Sequence, residues 1–253
     1  MAEPKRPRLR RELPLVQLLP NFLTLSALCA GLTAIRSATQ GQMQLAVGLI
    51  VLAAVLDGLD GRLARMLSSE SALGAELDSL ADFLSFGVAP GFILYFWLLH
   101  ESPGVGWIAV LMFAICAALR LARFNIGNNR PTSEGQEKRF FRGVPSPAGA
   151  LLALMPMYFT FMLPDARALP AIMIAVYLAV IGALMISQFP TWSFKTTKIY
   201  AEHARYILVG FVAVAAALLT YPWATLFLLG LCYLATLFLA WRQVRKPIAK
   251  PEE

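Results

Sequence analysis

The chain has 253 residues, 58% of them hydrophobic and 15% charged, with a formal net charge of +7. That apolar share exceeds the roughly 45–50% of ordinary soluble domains, and it comes in runs of about 20 residues, long enough to span hydrocarbon as helices. A soluble domain is excluded. The basic excess, set beside apolar runs, points to anionic lipid and membrane topology and not to nucleic acid.

A basic segment over 1–15, with Lys5, Arg6, Arg8, Arg10 and Arg11, precedes the first predicted span at 16–36. This order resembles a signal peptide, but the apolar stretch is long and no small-residue cleavage site follows cleanly, so it reads as a retained span. Further spans are predicted at 43–67, 75–99, 105–126, 147–163, 168–189, 206–221 and 223–241, with a tail over 243–253. The seventh is short and stops at Tyr221-Pro222. The stretch 127–146 is the longest polar segment and reads as a loop. Cys29, Cys116 and Cys232 all fall inside apolar runs without metal-ligand spacing and read as small core hydrophobes. No internal repeat or soluble domain is visible.

Eight spans place both termini on one side. Of the 22 basic residues, 20 then fall on that side, and only Arg36 and Arg167 fall on the other. The bias predicts a multi-pass protein of the cell membrane with cytoplasmic termini.

The second and third spans carry Asp57, Asp60, Asp78 and Asp82 at or near their ends. A carboxylate at a helix centre costs roughly 2.5–3.5 kcal/mol on insertion scales, so four of them need a reason. Any one alone could merely solvate a helix end. Asp57, Asp60, Gly61 and Ala64 fall at i, i+3, i+4 and i+7, on one helix face, and Asp78 and Asp82 at i and i+4 on the next helix. A turn around 67–74 makes these helices antiparallel neighbours, so the two carboxylate faces can meet. They would repel unless cations lay between them, and hard oxygen ligands in that number suit Mg²⁺ or Mn²⁺, as a pair of ions bound with substrate phosphates. Gly61, Ala64 and Gly74 leave space beside the carboxylates, and Arg62 and Arg65 are available to phosphate.

The stretch from Asp57 to Asp82 resembles the motif D-x2-D-G-x2-A-R-x8-G-x3-D-x3-D of the CDP-alcohol phosphotransferase family. Asp57, Asp60, Gly61, Ala64, Arg65, Gly74, Asp78 and Asp82 match every fixed position. The resemblance implies an all-α integral membrane protein with a six-helix core, a cytoplasm-facing di-metal site, a CDP-linked lipid donor and a homodimer. It implies Asp57, Asp60 and Asp78 as metal ligands, and Asp82 as general base that also touches the metal. Gly61, Ala64, Arg65 and Gly74 would shape the CDP pocket with Asp57. The flanking segments narrow the branch: Pro20-Asn21 and Thr24 at the first span, DFLSFGVAP in the third, RLARFN ending the fourth and FRGVPSPAGA before the fifth. Together they resemble the membrane-embedded phosphatidylserine synthases, over residues 15–190. On that likeness Asn21 and Thr24 join the CDP pocket, and Arg120, Arg123, Asn125 and Ser146 bind acceptor or phosphate. An arginine at that helix end suits either the carboxylate of serine or a donor phosphate.

These readings divide the chain into a basic segment (1–15), a catalytic transmembrane core (16–190), two additional helices (191–242) and a tail (243–253). The implied reaction is CDP-diacylglycerol plus L-serine to phosphatidylserine plus CMP, by direct attack. Another acceptor, glycerol 3-phosphate, choline or inositol phosphate, would use the same chemistry. Only His100 and His203 exist, one at the outer end of the third span and one in a loop, so no nucleophile pair competes. A cation transporter would place its carboxylates near the midplane, and leaves the glycine and arginine spacing unexplained.

Overall fold

A computed structural model of the protein describes residues 15–69, 71–128, 140–163, 165, 169–187, 190–192 and 204–244. The basic N-terminal segment, most of the 127–146 loop, His203 and the basic tail lie outside the described residues.

In chain order the helices are α1 (Leu19–Thr39), α2 (Met43–Met66), α3 (Ala72–Asp82), α4 (Ala89–Trp97), α5 (Pro103–Asn128), α6 (Ser146–Ala153), α7 (Met155–Met162), α8 (Ala171–Ile186), α9 (Ala204–Thr220) and α10 (Pro222–Val244). A π-helical turn, Phe83–Val88, joins α3 to α4 in one continuous rod. Among the described residues the protein is all-helical apart from a two-stranded ribbon of β1 (Phe140–Arg142) and β2 (Pro190–Trp192), paired antiparallel with Phe141 opposite Thr191. This ribbon falls partly in the segment expected to be plain loop, because it joins residues some 50 apart in sequence and has no local pattern.

Among the described residues, five helices are long and apolar enough to cross a membrane: Val16–Thr39, Met43–Met66, Ala72–Trp97, Pro103–Ile126 and Pro222–Ala240. The protein is therefore a multi-pass membrane protein. The remaining expected spans correspond to shorter helices, α8, α9 and the pair α6–α7. The fifth span is broken at Leu154 because Pro156 has no N–H to return to the carbonyl of Leu152. The hydroxyl of Tyr177 on α8 donates to that carbonyl at 2.7 Å and so keeps a buried acceptor satisfied.

Small residues govern the packing. Ala27, Ala30, Ala34 and Ala38 of α1 meet Ala46, Val47, Ile50 and Ala53 of α2, all buried. Close approach of backbones is what drives helices together where lipid removes the hydrophobic incentive. Gly31 of α1 faces Ser85 in the π turn so closely that a Cβ would lie 2.5 Å from its Oγ. Large apolar side chains point outward instead, with Met66, Phe211 and Leu219 each more than two-thirds exposed. In lipid that is the ordinary outer surface of a helix bundle. The cysteines depart from expectation here: Cys29 and Cys232 are exposed, and only Cys116 is partly buried. Their helices present those positions to the apolar surroundings and not to the core.

Candidate active site

The α2 stripe that packs on α1 runs Ala46, Ile50, Ala53 and continues at the same helical spacing to Asp57 and Asp60. The packing face therefore ends in carboxylates. Since α1 and α2 are antiparallel, the start of α1 lies beside them. The Thr24 hydroxyl donates to Asp60 Oδ2 at 2.6 Å, while Asp60 is only 4% exposed. The buried hydroxyl fixes the orientation of that carboxylate.

The next helix supplies the third acid. Ser71 caps α3, its Oγ accepting from the Gly74 N–H at 3.0 Å. Gly74 lies against α1, where an added Cβ would be 3.0 Å from Asn21 Oδ1. Four residues on, Asp78 reaches the α2 acids, and one oxygen from each of Asp57, Asp60 and Asp78 lies within 4.8 Å of the others. An ion bonded at about 2.1 Å holds its ligand oxygens at most about 4.2 Å apart, so this trio is within a small side-chain adjustment of one. An all-oxygen, all-anionic donor set suits a hard divalent cation.

Asp82 stands outside the trio. Its neighbours are Asp57, Asp78 and Arg120. Its Oδ1 is buried and has no hydrogen-bond partner among the described residues. A buried carboxylate oxygen left bare is costly unless a ligand, ion or water completes it.

A cavity of about 250 Å³ opens beside the trio. Its wall includes Asn21, Thr24, Asp60, Gly61, Ala64, Gly74 and Asp78, all singled out from the sequence. It also includes Pro20, Ser69, Ser71 and Ala75, of which Ser69 carries a buried hydroxyl without a partner among the described residues. The two serines flank the turn between the paired motifs, a place where hydroxyls are so common that sequence offers little to mark them. A Cβ built on Gly61 meets no heavy atom within 4 Å among the described residues. The space it leaves is therefore cavity and not protein packing. Arg65 does not line the cavity: it is exposed, and its Nε donates to the Gly61 carbonyl at 2.9 Å.

The second group of expected residues divides. Arg120 of α5 donates to the Ser146 hydroxyl at the start of α6, joining two residues 26 apart beside Asp82. Arg123 instead donates to the Ile186 carbonyl at 2.8 Å, closing the end of α8. Asn125 donates to Ser79 Oγ at 3.0 Å and ties α5 to α3. These two brace the site from outside. His100, at the far end of the α3–α4 rod, has its Nδ1 3.2 Å from the Tyr95 carbonyl and takes no part.

The family model described as CDP-alcohol phosphatidyltransferase matches residues 17–186, and one described as CDP-alcohol phosphatidyltransferase 2 matches residues 206–237. The chain is 38% identical over 247 residues to a Mycobacterium leprae protein named CDP-diacylglycerol–serine O-phosphatidyltransferase, covering 98% of this chain and 82% of that one. Proteins of the same name from Helicobacter pylori and Bacillus subtilis are 36% and 34% identical, over 72% and 70% of this chain and 74% and 91% of theirs.

Proposed function

The chain belongs to the CDP-alcohol phosphatidyltransferase family, and from that premise we propose that it transfers the phosphatidyl group of CDP-diacylglycerol to L-serine, releasing CMP. The observation that carries the reading is the convergence of Asp57, Asp60 and Asp78 on a cavity whose wall is hollowed at Gly61 and bounded by Gly74. Likeness to relatives named for serine, over nearly the whole chain in one case, selects the acceptor.

Asp57, Asp60 and Asp78 would hold Mg²⁺ or Mn²⁺, two ions in all. Such a metal would supply positive charge to offset the charge that gathers on the departing CMP. The chain's own residues do the rest. Asn21, Thr24, Gly61, Ala64 and Gly74 receive the CDP group, with Arg65 at the rim. Arg120 and Ser146 hold the acceptor next to Asp82, while Arg123 and Asn125 support them. Asp82 accepts the proton of the serine hydroxyl as its oxygen bonds to the lipid-bearing phosphorus. The bond from that phosphorus to the CMP oxygen breaks in the same displacement.

This reading carries the eight-span topology with it. Residues 16–190 form the catalytic core of six spans, 191–242 hold two more, and the segments 1–15 and 243–253 are cytoplasmic, as is the site. The protein works as a homodimer in the cell membrane. Purified protein supplied with CDP-diacylglycerol, Mg²⁺ and serine, glycerol 3-phosphate, choline or inositol phosphate in turn should release CMP with serine alone. CMP release driven by a different alcohol would overturn the acceptor assignment.

A further inference from the structure

The last two helices lie beyond residues 15–190, which carry the resemblance, yet α10 is seated firmly on the core. Along one face lie Trp223, Leu226, Phe227, Tyr233, Leu234 and Leu237, all packed in or against the core, with Gly230 on the same face. Trp223 meets Phe161 edge-on at 4.8 Å, and Phe227 lies 6.0 Å from Phe159. At Gly230 the helix comes so near α7 that a Cβ would be 2.7 Å from Met155 Sδ. These contacts set the rotation and depth of α10, and so of Tyr233, one turn beyond Gly230.

Tyr233 is the exception on that face. Its hydroxyl is buried and has no hydrogen-bond partner among the described residues. A packing role alone would be served by phenylalanine, without a stranded hydroxyl. Tyr233 and Arg120 lie within electrostatic reach of each other, and α10 also touches α6, which begins at Ser146, and the ribbon strand β2. The bare hydroxyl is thus within electrostatic reach of Arg120, the arginine that also acts on Asp82.

We propose that Tyr233 is a positioning residue of the acceptor subsite, where its hydroxyl and the Arg120 guanidinium together hold the anionic group of the incoming alcohol, the carboxylate when that alcohol is serine. This rests on the transferase reading above. Two donors on the carboxylate leave the acceptor hydroxyl free to reach Asp82. The C-terminal helix α10 is on this account part of the acceptor site.

The test compares wild type with Tyr233→Phe, measuring CMP release against serine concentration at saturating CDP-diacylglycerol and Mg²⁺. A lost hydrogen bond to a charged group predicts a rise of about tenfold or more in KM for serine, with donor KM and melting temperature unchanged. Ethanolamine, which lacks the carboxylate, should show no such rise, so the preference for serine over ethanolamine narrows in the variant. Leu228→Ala, on the exposed face of the same helix, should leave that preference intact. An unchanged serine KM in Tyr233→Phe overturns the proposal. So does a parallel loss of donor affinity and melting temperature, which would mean a structural role. If wild type ignores serine and uses glycerol 3-phosphate, the serine reading fails while this one is tested on the phosphate in the same way. Use of choline would overturn both.

Discussion

Replacing Gly61 by alanine separates the needs of the fold from the needs of the ligand. Gly61 is an exposed residue inside α2, and a Cβ there touches nothing among the described residues. Alanine in a helix interior is favoured over glycine by roughly 0.5–1 kcal/mol, so Gly61→Ala should be as stable as wild type or slightly more stable. The new methyl projects into the cavity of about 250 Å³. It takes up about 30 Å³, the share of one water molecule in the liquid. Overpacking of that size typically costs about 1–3 kcal/mol where the fit is close, which corresponds to roughly a 5- to 150-fold loss of donor affinity. Thermal unfolding in detergent and KM for CDP-diacylglycerol measure the two effects on one sample. The expected result is an unchanged or raised melting temperature with donor KM at least several-fold higher. A variant with wild-type donor KM would refute the assignment of this cavity to the donor. A melting temperature several degrees lower would refute the open space seen beside Gly61. Gly74→Ala is the contrast: its Cβ would press on Asn21 and on the Ser71 cap, so stability and donor affinity should fall together.

Thr24→Val removes the hydroxyl that orients Asp60 and should weaken activation by Mg²⁺ or Mn²⁺ about 10- to 100-fold, read from metal titrations of turnover. Excess EDTA should abolish activity and added Mg²⁺ or Mn²⁺ restore it; full activity in chelator would sink the metal assignment. Asn at 57, 60 or 78 should lower metal affinity and turnover together, whereas Asp82→Asn should cut turnover about 10²–10⁴-fold while donor binding persists. A reporter fused after Glu253 should be cytoplasmic and a cysteine placed at 101–104 labelled from outside; an external C-terminus would remove one span, the seventh being the weakest.

The trio of acids was legible in sequence because two independent regularities coincide at it. Helical spacing puts Asp57 and Asp60 on the face that packs, and the cost of charge near hydrocarbon singles them out. Asn21 and Thr24 were legible only through family resemblance, whereas Gly61 and Gly74 also stood out as small residues beside the acids, and the cavity wall includes all four. Arg123 and Asn125 show the reach of that method, since a motif marks a neighbourhood without saying which side chain turns inward. Three features had no local mark. The β1–β2 ribbon depends on a distant partner, the π turn on packing against α1 and α5, and Tyr233 is one aromatic among many in an apolar helix. The break at Leu154 is different, because Pro156 was present in the sequence to predict it.

The π turn at Phe83–Val88 has a consequence for how this chain tolerates change. Each residue of an α-helix advances the next by about 100°, so a turn holding one extra residue resets the phase between the two halves of a rod. Below it, Asp78 and Asp82 face the α2 acids. At its end and above it, Gly87 and Gly91 mesh with Ala117 and Val110 of α5. Both alignments hold because the turn takes up the residue count between them. A substitution within Phe83–Val88 leaves that count alone and acts locally. Loss of a single residue there is a change the rod can absorb, because an ordinary α turn one residue shorter sweeps nearly the same angle, whereas loss of a residue on either side of the turn would swing the carboxylates by about 100° from their partners.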